Sequence, residues 1–182
     1  MEELTLEVRP ALSRPELLAE PVAAALADWS APDAAEVEGA AIDPDLADTA
    51  EFCARYGVAM ADSANCVIVA AKRGSVTTYA ACMVLATSRA DVNGLVRKHL
   101  DARKASFAPV DAALAATGME YGGITPIGLP ADWPVLVDPV VAEHPRVVVG
   151  AGIRGSKLWL PGRLLAALPT AVVLPGLGLP VG

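Results

Sequence analysis

The chain has 182 residues, of which 54% are hydrophobic, and a formal net charge of −7. This length is typical of one domain, and no apolar run approaches the roughly 20 residues that a membrane-spanning helix needs. The amino end, Met1-Glu2-Glu3, lacks the basic and apolar regions of a signal peptide, so we expect a cytoplasmic protein without a membrane partner. The three cysteines follow neither zinc-site nor disulfide spacing, which indicates small buried side chains.

Charge is distributed unevenly along the chain. Residues 1–60 hold thirteen acidic and three basic side chains, a balance of −10, whereas residues 61–182 hold eight acidic and eleven basic ones, a balance of +3. The acidic total argues against a general nucleic-acid-binding protein. The second part of the chain, taken alone, would not repel a nucleic acid.

The first 45 residues are predicted to form an N-terminal extension with one strand and one helix. Residues 4–8 alternate between apolar and polar types, as a short strand does. Pro15 is predicted to lie early in a helix that continues to Trp29, because proline is tolerated in the first turn. Residues 30–43 show no periodicity and are predicted to be a loop.

Residues 46–182 are predicted to form the main domain, which starts with a helix and a hairpin. Asp43, Pro44 and Asp45 are typical of a helix start, and Gly57 is a natural end for that helix. Residues 66–71 and 77–87 are apolar on both faces and flank a turn-like segment at 72–75. This pair predicts a hairpin at the centre of a sheet.

The rest of the chain interleaves short helices and strands. Asp91 is predicted to cap a helix that reaches Leu100, and Gly118 to end a helix that starts at Pro109. Further strands are predicted at residues 135–138, 146–150 and 156–160, followed by a last helix at 161–168. Without a regular strand–helix alternation, this order predicts a mixed α/β or α+β fold.

Most motifs of known chemistry are missing. The sequence has no phosphate-binding G-x-x-x-x-G-K-[ST] loop, no H-E-x-x-H and no G-x-S-x-G, and its two histidines and scattered carboxylates form no metal set. The glycine-rich turn at residues 150–155 superficially resembles a dinucleotide fingerprint, but its spacing fails and a strand follows it. We therefore expect neither a metal nor a cofactor.

The stretch from Thr117 to Pro134 is the most informative part of the sequence. Its glycines allow positive φ and close approach by another molecule, and its prolines stiffen the path. Such a loop can present N–H groups in a fixed array to a carbonyl or an oxyanion. The residues alone also fit a rigid structural turn.

This stretch resembles the G-x-x-x-P loop of the YbaK / prolyl-tRNA-synthetase-associated editing domains. Residues 122–126 read Gly-Gly-Ile-Thr-Pro, and Thr117-Gly118 matches the Thr-Gly that precedes the loop in that family. Residues 135–138 are similar to the family's strand that ends in Asp, and residues 148–155 to its late glycine-rich turn. The resemblance covers roughly residues 47–170. It implies a mixed, largely antiparallel central sheet surrounded by helices.

The resemblance also implies an activity, which is hydrolysis of the ester that joins a wrong amino acid to tRNA. The implied partners are the acceptor end of an aminoacyl-tRNA and an aminoacyl-tRNA synthetase. The residues that carry over as catalytic are Gly122, Gly123, Thr125 and Asp138. Those that carry over as substrate-binding are Ile68, Lys72, Ile124, Pro126, Gly150, Gly152, Arg154 and Lys157.

One departure from the family concerns a lysine in its first core strand. The aligned position in this sequence is Ile68, which cannot hold a phosphate or ribose as an ammonium would. Lys72, Arg154 or Lys157 could supply the missing charge instead. Three functions therefore stay open: a deacylase of mischarged tRNA, a non-catalytic module that binds tRNA, aminoacyl groups or a synthetase, and a hydrolase of small acyl esters.

Overall fold

A computed structural model describes residues 5–181 of the chain. The part of the chain before the hairpin contributes two short strands and three helices. Their bounds are β1 (Arg9–Pro10), α1 (Glu20–Ala27), α2 (Ala31–Ala35), β2 (Glu38–Ala41) and α3 (Thr49–Tyr56). Short 3₁₀ turns connect them at Ala11–Ser13, Pro15–Leu17, Pro44–Leu46 and Met60–Asp62.

Three predictions for the N-terminal part were wrong. No strand covers residues 5–8, and Leu4 lies outside the described residues. The helix predicted from Pro15 to Trp29 is interrupted at Leu18, because Pro21 is compatible with the first turn of α1 but not with the interior of a longer helix. The predicted loop at 30–43 contains α2, whose first turn is capped by the Ser30 hydroxyl at 3.3 Å from the amide of Asp33, and β2.

The central part of the chain forms the predicted hairpin and two helical segments. The hairpin consists of β3 (Ala64–Arg73) and β4 (Val76–Leu85), and is followed by β5 (Ser88–Ala90). A π-helical turn (Val92–Val96) continues into α4 (Arg97–His99), then come β6 (Lys104–Phe107) and α5 (Val110–Thr117). The predicted caps are confirmed, since Asp91 accepts from two amides of the π turn and Gly118 ends α5 with a φ of 68°.

The C-terminal part contains the three predicted strands and further short elements. They are β7 (Val135–Val137), α6 (Pro139–Ala142), β8 (Val147–Gly150), β9 (Ser156–Leu160), α7 (Gly162–Ala166), β10 (Ala171–Val173) and β11 (Gly178–Pro180). The predicted last helix is shorter at its carboxyl end, and β10 and β11 were not predicted.

The strands form two main sheets and one small one. The central sheet has the order β10-β7-β4-β3-β6, in which β7 pairs in parallel with both neighbours and β3 antiparallel with both of its own. An antiparallel second sheet has the order β1-β2-β9-β8, and β11 pairs with β5. The predicted mixed fold, with the hairpin at the sheet centre, is confirmed. No helix within residues 5–181 is long and apolar enough to cross a membrane.

The two main sheets meet along one edge of β3. A single parallel bridge joins Ser63 to Val148 on β8, and residues 69–72 of β3 pair with β6 on that same side of the hairpin. Between these two contacts the first residues of β3 have no strand partner opposite β4. This unpaired edge leaves room for a cavity between the sheets.

Candidate functional site

A cavity of about 330 Å³ lies beside the unpaired start of β3. Its walls come from four parts of the chain that the fold brings together. They are residues 47–49 at the start of α3, residues 63–67 at the start of β3, the loop residues Tyr121, Gly122 and Ile124, and Val149, Gly150 and Lys157 of the second sheet.

Residues 120–126, called the glycine loop below, reach the cavity because their backbone packs directly on the backbone of the turn after β8. The amide of Gly152 donates to the carbonyl of Gly123 at 2.7 Å, and the amide of Glu120 donates to the carbonyl of Gly152 at 2.8 Å. A Cβ atom on Gly150 would lie 2.5 Å from the Gly123 oxygen, and one on Gly123 would lie 2.7 Å from the carbonyl carbon of Ile153. Glycine is therefore required on both sides of this contact.

Within the loop, backbone amides differ in what they bind. The amide of Gly123 donates to the carbonyl of Glu120 at 3.0 Å, so the loop's own turn uses it. The amides of Gly122 and Ile124, two residues that line the cavity, have no hydrogen-bond acceptor among residues 5–181. These two N–H groups are therefore unpaired donors in the described part of the chain.

Arg154 holds the loop at the rim of the cavity. Its guanidinium donates to the carbonyl of Tyr121 at 3.0 Å and to the carbonyl of Pro44 at 3.2 Å, and its amide donates to the Glu120 carboxylate at 3.0 Å. The same guanidinium lies 3.9 Å from the Asp48 carboxylate. Arg154 therefore ties the glycine loop to the segment that precedes α3.

Lys157 supplies a buried amino group to the cavity wall. It extends from β9, is only 7% exposed, and donates from Nζ to the carbonyl of Ala47 at 2.9 Å. The Nζ atom also lies 5.3 Å from the centre of the Phe52 ring. Burial lowers the pKa of Lys157, an effect that the nearby Cys53 and Asp48 oppose. Two of the three donor positions of a protonated Nζ remain for a ligand.

Strand β3 presents Asn65, Cys66 and Val67 to the cavity. The Asn65 side-chain oxygen accepts from the Thr49 hydroxyl at 2.7 Å, which fixes the start of α3 against the strand. Burial raises the pKa of the Cys66 thiol, with a smaller contribution from Cys82, so Cys66 is an uncharged group here.

The other residues proposed from the sequence lie away from the cavity wall. Ile68 is 6% exposed and packs in the main hydrophobic core, and Lys72 is exposed at the far end of β3. Thr125 is fully buried, and its hydroxyl has no hydrogen-bond partner in the described part of the chain. Pro126 lines a separate cavity of about 540 Å³. Asp138 caps α6, with its carboxylate 3.4 Å from the amide of Val140.

The structure thus gathers Gly122, Ile124, Gly150 and Lys157 in the cavity wall, with Gly123, Gly152 and Arg154 directly behind it. Sequence reasoning missed the contributions of Asp48, Thr49, Asn65, Cys66 and Tyr121. A polar Asn65 next to an otherwise apolar strand was the one signal that could have indicated this wall. Within residues 5–181, no group of three or more His, Cys, Asp or Glu side chains could hold a metal.

Comparisons with known proteins agree with this architecture. Residues 43–168 match the family model of the aminoacyl-tRNA editing domain, whereas a comparison with curated proteins finds no match. A structure assigned provisionally as a trans-editing enzyme for prolyl tRNA synthetase has a TM-score of 0.71 at 18% identity, over 90% of this chain and 97% of the other. The hypothetical protein APE2540 has a TM-score of 0.65 at 22% identity, over 73% and 85% of the two chains. At these identities, structural similarity establishes the fold alone.

Proposed function

Because the chain belongs to the aminoacyl-tRNA editing domain family, we propose that it hydrolyses the ester of mischarged aminoacyl-tRNA in the cavity beside β3. The observation that carries the proposal is the meeting of a buried lysine with free backbone donors in one small cavity. Lys157 lies on one wall, and the glycine loop with the amides of Gly122 and Ile124 forms another.

The size of the cavity fits the aminoacyl end of such a substrate. A volume of about 330 Å³ lies at the lower end of the roughly 300–1,000 Å³ that ligand sites span. Its β3 wall, with Cys66 and Val67, is mostly apolar and can enclose a small side chain. A separate small sieve of this kind removes errors that a synthetase cannot avoid, because one methylene gives only about 1–3 kcal/mol of discrimination.

The chemical part of the proposal assigns roles to the polar groups. As water attacks the ester carbonyl, negative charge develops on the carbonyl oxygen. The free amides of Gly122 and Ile124 can donate to that oxygen, and Arg154 keeps their loop in place. The Lys157 amino group can donate to the ester or to the terminal ribose or phosphate, which is the charge that Ile68 cannot provide.

A deacylation assay tests this function. Purified protein is incubated with tRNAs mischarged with alanine, serine, cysteine or threonine, and release of the amino acid is measured. We expect at least one substrate to be hydrolysed above background. The Lys157→Met variant should lose about 10²-fold or more of that rate, a loss of the size seen when one donor to a developing oxyanion is removed.

Arg9→Met is the matched control, because it removes one exposed positive charge from β1 without touching the cavity. If both variants lose activity equally, Lys157 has no special role. If no mischarged tRNA of the panel is hydrolysed by the wild-type protein, the deacylase proposal is wrong.

A non-catalytic binding module is the second candidate function. The observation in its favour is that β3 offers the cavity an uncharged Cys66 thiol and no lysine. This candidate predicts that wild-type protein binds tRNA or an aminoacyl analogue without turnover. Turnover in the assay above would exclude it.

A further inference from the structure

The cavity of about 540 Å³ that Pro126 lines, called the second cavity below, is larger than the candidate site. The two cavities share no lining residue, although both border the glycine loop, since Ile124 lines one and Pro126 the other. The volume of the second cavity lies well inside the roughly 300–1,000 Å³ that ligand sites span. It is therefore large enough for a small organic molecule and separate from the proposed hydrolytic site.

The walls of the second cavity are fixed to one another by the fold. They come from the corner between α1 and α2, from residues 126–131, and from residues 164–170 between α7 and β10. Gly128 has a φ of 87°, and a Cβ atom there would overlap the carbonyl of Pro21, so the second wall packs directly on the start of α1. The Thr170 hydroxyl donates to the carbonyl of Trp133 at 2.6 Å, which ties the third wall to the second. The cavity is therefore formed before a ligand binds.

Most of the lining is apolar. Ala25 lies on the α1 side, Leu129 on the loop side and Leu168 on the side of α7, and all three are only partly buried. Covering apolar surface of this kind with another apolar group is favourable, because it removes that surface from water. A ligand of the second cavity is therefore expected to have an apolar body.

The charges at the second cavity are all negative. Its lining contains Asp28 and Asp33 and, among the described residues, no Lys, Arg or His. Asp33 lies 3.8 Å from the guanidinium of Arg163, whereas the Asp28 carboxylate has neither a hydrogen bond nor an ion pair within residues 5–181. In addition, residues 15–54 contain ten acidic side chains and no basic one. The field at this cavity therefore attracts a cation and repels an anion.

An unpaired aromatic side chain lies next to the free carboxylate. Trp29 lines the second cavity and is partly buried. Within residues 5–181 no other ring and no cationic side chain stacks on it, and its indole N–H has no hydrogen-bond acceptor. The face of a tryptophan attracts an ammonium group more strongly than that of any other side chain. Asp28 and Trp29 thus offer one ammonium group a negative charge and an aromatic face.

We propose that the second cavity binds a small organic amine. Its apolar body is enclosed by Ala25, Leu129 and Leu168, and its ammonium group is held by Asp28 and Trp29. The proposal does not rest on the proposed function, because none of these residues lines the candidate site.

Three probes with one apolar body test the choice of ligand. The probes are 3-phenylpropylamine, 3-phenylpropanol and 3-phenylpropionate, and binding is followed by the indole N–H resonances of the three tryptophans, with that of Trp29 identified by its absence from Trp29→Phe. We expect the amine to shift the Trp29 resonance saturably and to leave that of Trp159, in another hydrophobic cluster, unchanged. The alcohol and the carboxylate should bind at least about tenfold more weakly, since a hydrogen bond to a charged group is the stronger one. Equal binding of amine and alcohol, or no shift of the Trp29 resonance, overturns the proposal.

Asp28→Asn tests the recognition of the charge. This variant should bind the amine about tenfold more weakly than the wild type and the alcohol equally well, because only the amine loses a charged partner. Asp45→Asn is the control, since it removes the same charge from the same acidic segment at an exposed position outside the cavity. An equal loss in both variants would mean that only the general field acts, and would contradict the role of Asp28.

Ala25→Phe tests the location of the apolar body. Its ring should occupy part of the cavity and weaken amine and alcohol by the same factor, about tenfold. Ala24→Phe, at the exposed neighbouring position of α1, should bind both normally. Urea unfolding checks that both variants are folded, and the Asp28 comparison stands even if Ala25→Phe is not. Normal binding by a folded Ala25→Phe places the ligand elsewhere and overturns the proposal.

Discussion

At the scale of single residues, the buried lysine of the cavity is the side chain whose placement has the clearest energetic consequence. Lys157 occupies a β9 position where its neighbours in the strand are all buried. Removing an ammonium group from water disfavours its charged form, and one hydrogen bond to Ala47 with one aromatic ring offsets this only in part. Burial of Lys157 at the cavity wall therefore reduces the stability of the fold when its amino group is charged.

The cost makes stability depend on pH in a defined direction. Since burial lowers the pKa of Lys157 below its usual 10.5, the unfolded chain binds more protons than the folded chain between the lowered pKa and 10.5. The contribution of Lys157 to the free energy of unfolding therefore rises as pH increases through that window. We expect the wild type to gain stability relative to Lys157→Met between neutral pH and pH 10.5, as measured by urea unfolding.

The quantity to compare is the difference in the free energy of unfolding between wild type and Lys157→Met at each pH, because other groups also titrate in this range. Burial raises the pKa of the Cys53 thiol, and a group of that kind loses its stabilising contribution as pH rises. Both proteins contain Cys53, so the effect of its burial is common to the two, whereas the charge interaction between Cys53 and Lys157 is present only in the wild type. A pH-independent difference between wild type and Lys157→Met would contradict the assignment of Lys157 as a desolvated amine.

At the scale of secondary-structure elements, helix-capping residues and the long apolar hairpin were reliable signals in the sequence, whereas short strands were not. Asp91, Gly57 and Gly118 each mark a helix end correctly, because capping depends on residues within one turn. The apolar hairpin β3–β4 was equally clear. In contrast, β2, β6, β10 and β11 are short and lie next to partners that are distant in sequence, so their own residues carry little strand signal.

Of the candidate site, likewise, only one part could be predicted from the sequence. Its glycine loop was predicted, because the demands of positive φ and close backbone approach restrict those positions to one residue type. The opposite wall, with Asp48, Asn65 and Cys66, was not predicted. Those residues become a wall only when α3 and β3 meet. Cys66 and Ile68 are on the same face of β3, but only the start of the strand borders the cavity, so Cys66 lines it and Ile68 lies in the core.

The cap of the π-helical turn offers a test at this scale. The Asp91 carboxylate accepts from the amide of Gly94 at 3.1 Å and from the amide of Leu95 at 3.2 Å. We expect Asp91→Ala to lower the free energy of unfolding by about 1 kcal/mol, a typical value for the loss of an N-cap. Urea unfolding measures this change. Asp111→Ala, in the first turn of α5 but without a capping bond, is the control, and an equal loss there would contradict the capping role.

At the scale of the whole molecule, the N-terminal part is built into the core of the family domain. β2 pairs along its length with β9, and α1 places Val22 and Leu26, both fully buried, in the main hydrophobic cluster. Ala19 also donates its amide to Ala151 in the turn behind the glycine loop. The segment before residue 43 therefore supports the cavity although it lies outside the matched family region.

Truncation of one buried side chain tests this integration. We expect Leu26→Ala to lower the free energy of unfolding by about 2–5 kcal/mol, because it opens a cavity in the main core. Leu12→Ala, at a position that is 42% exposed, should change it far less. Urea unfolding of both variants measures the difference. A small effect at Leu26 would show that the N-terminal segment is peripheral to the core.

The pairing of β2 with β9 also affects how the chain folds during its synthesis. Glu38 and its partner Trp159 are 121 positions apart, so a ribosome that adds about 5–20 residues per second exposes β2 for about 6–24 s before β9 exists. A strand rich in valine or isoleucine would be prone to aggregate during that wait. β2 reads Glu-Gly-Ala-Ala, a sequence of weak strand formers with a charge. The weak strand propensity that prevented its prediction therefore also lowers the tendency of β2 to aggregate while it is unpaired, before β9 is synthesised.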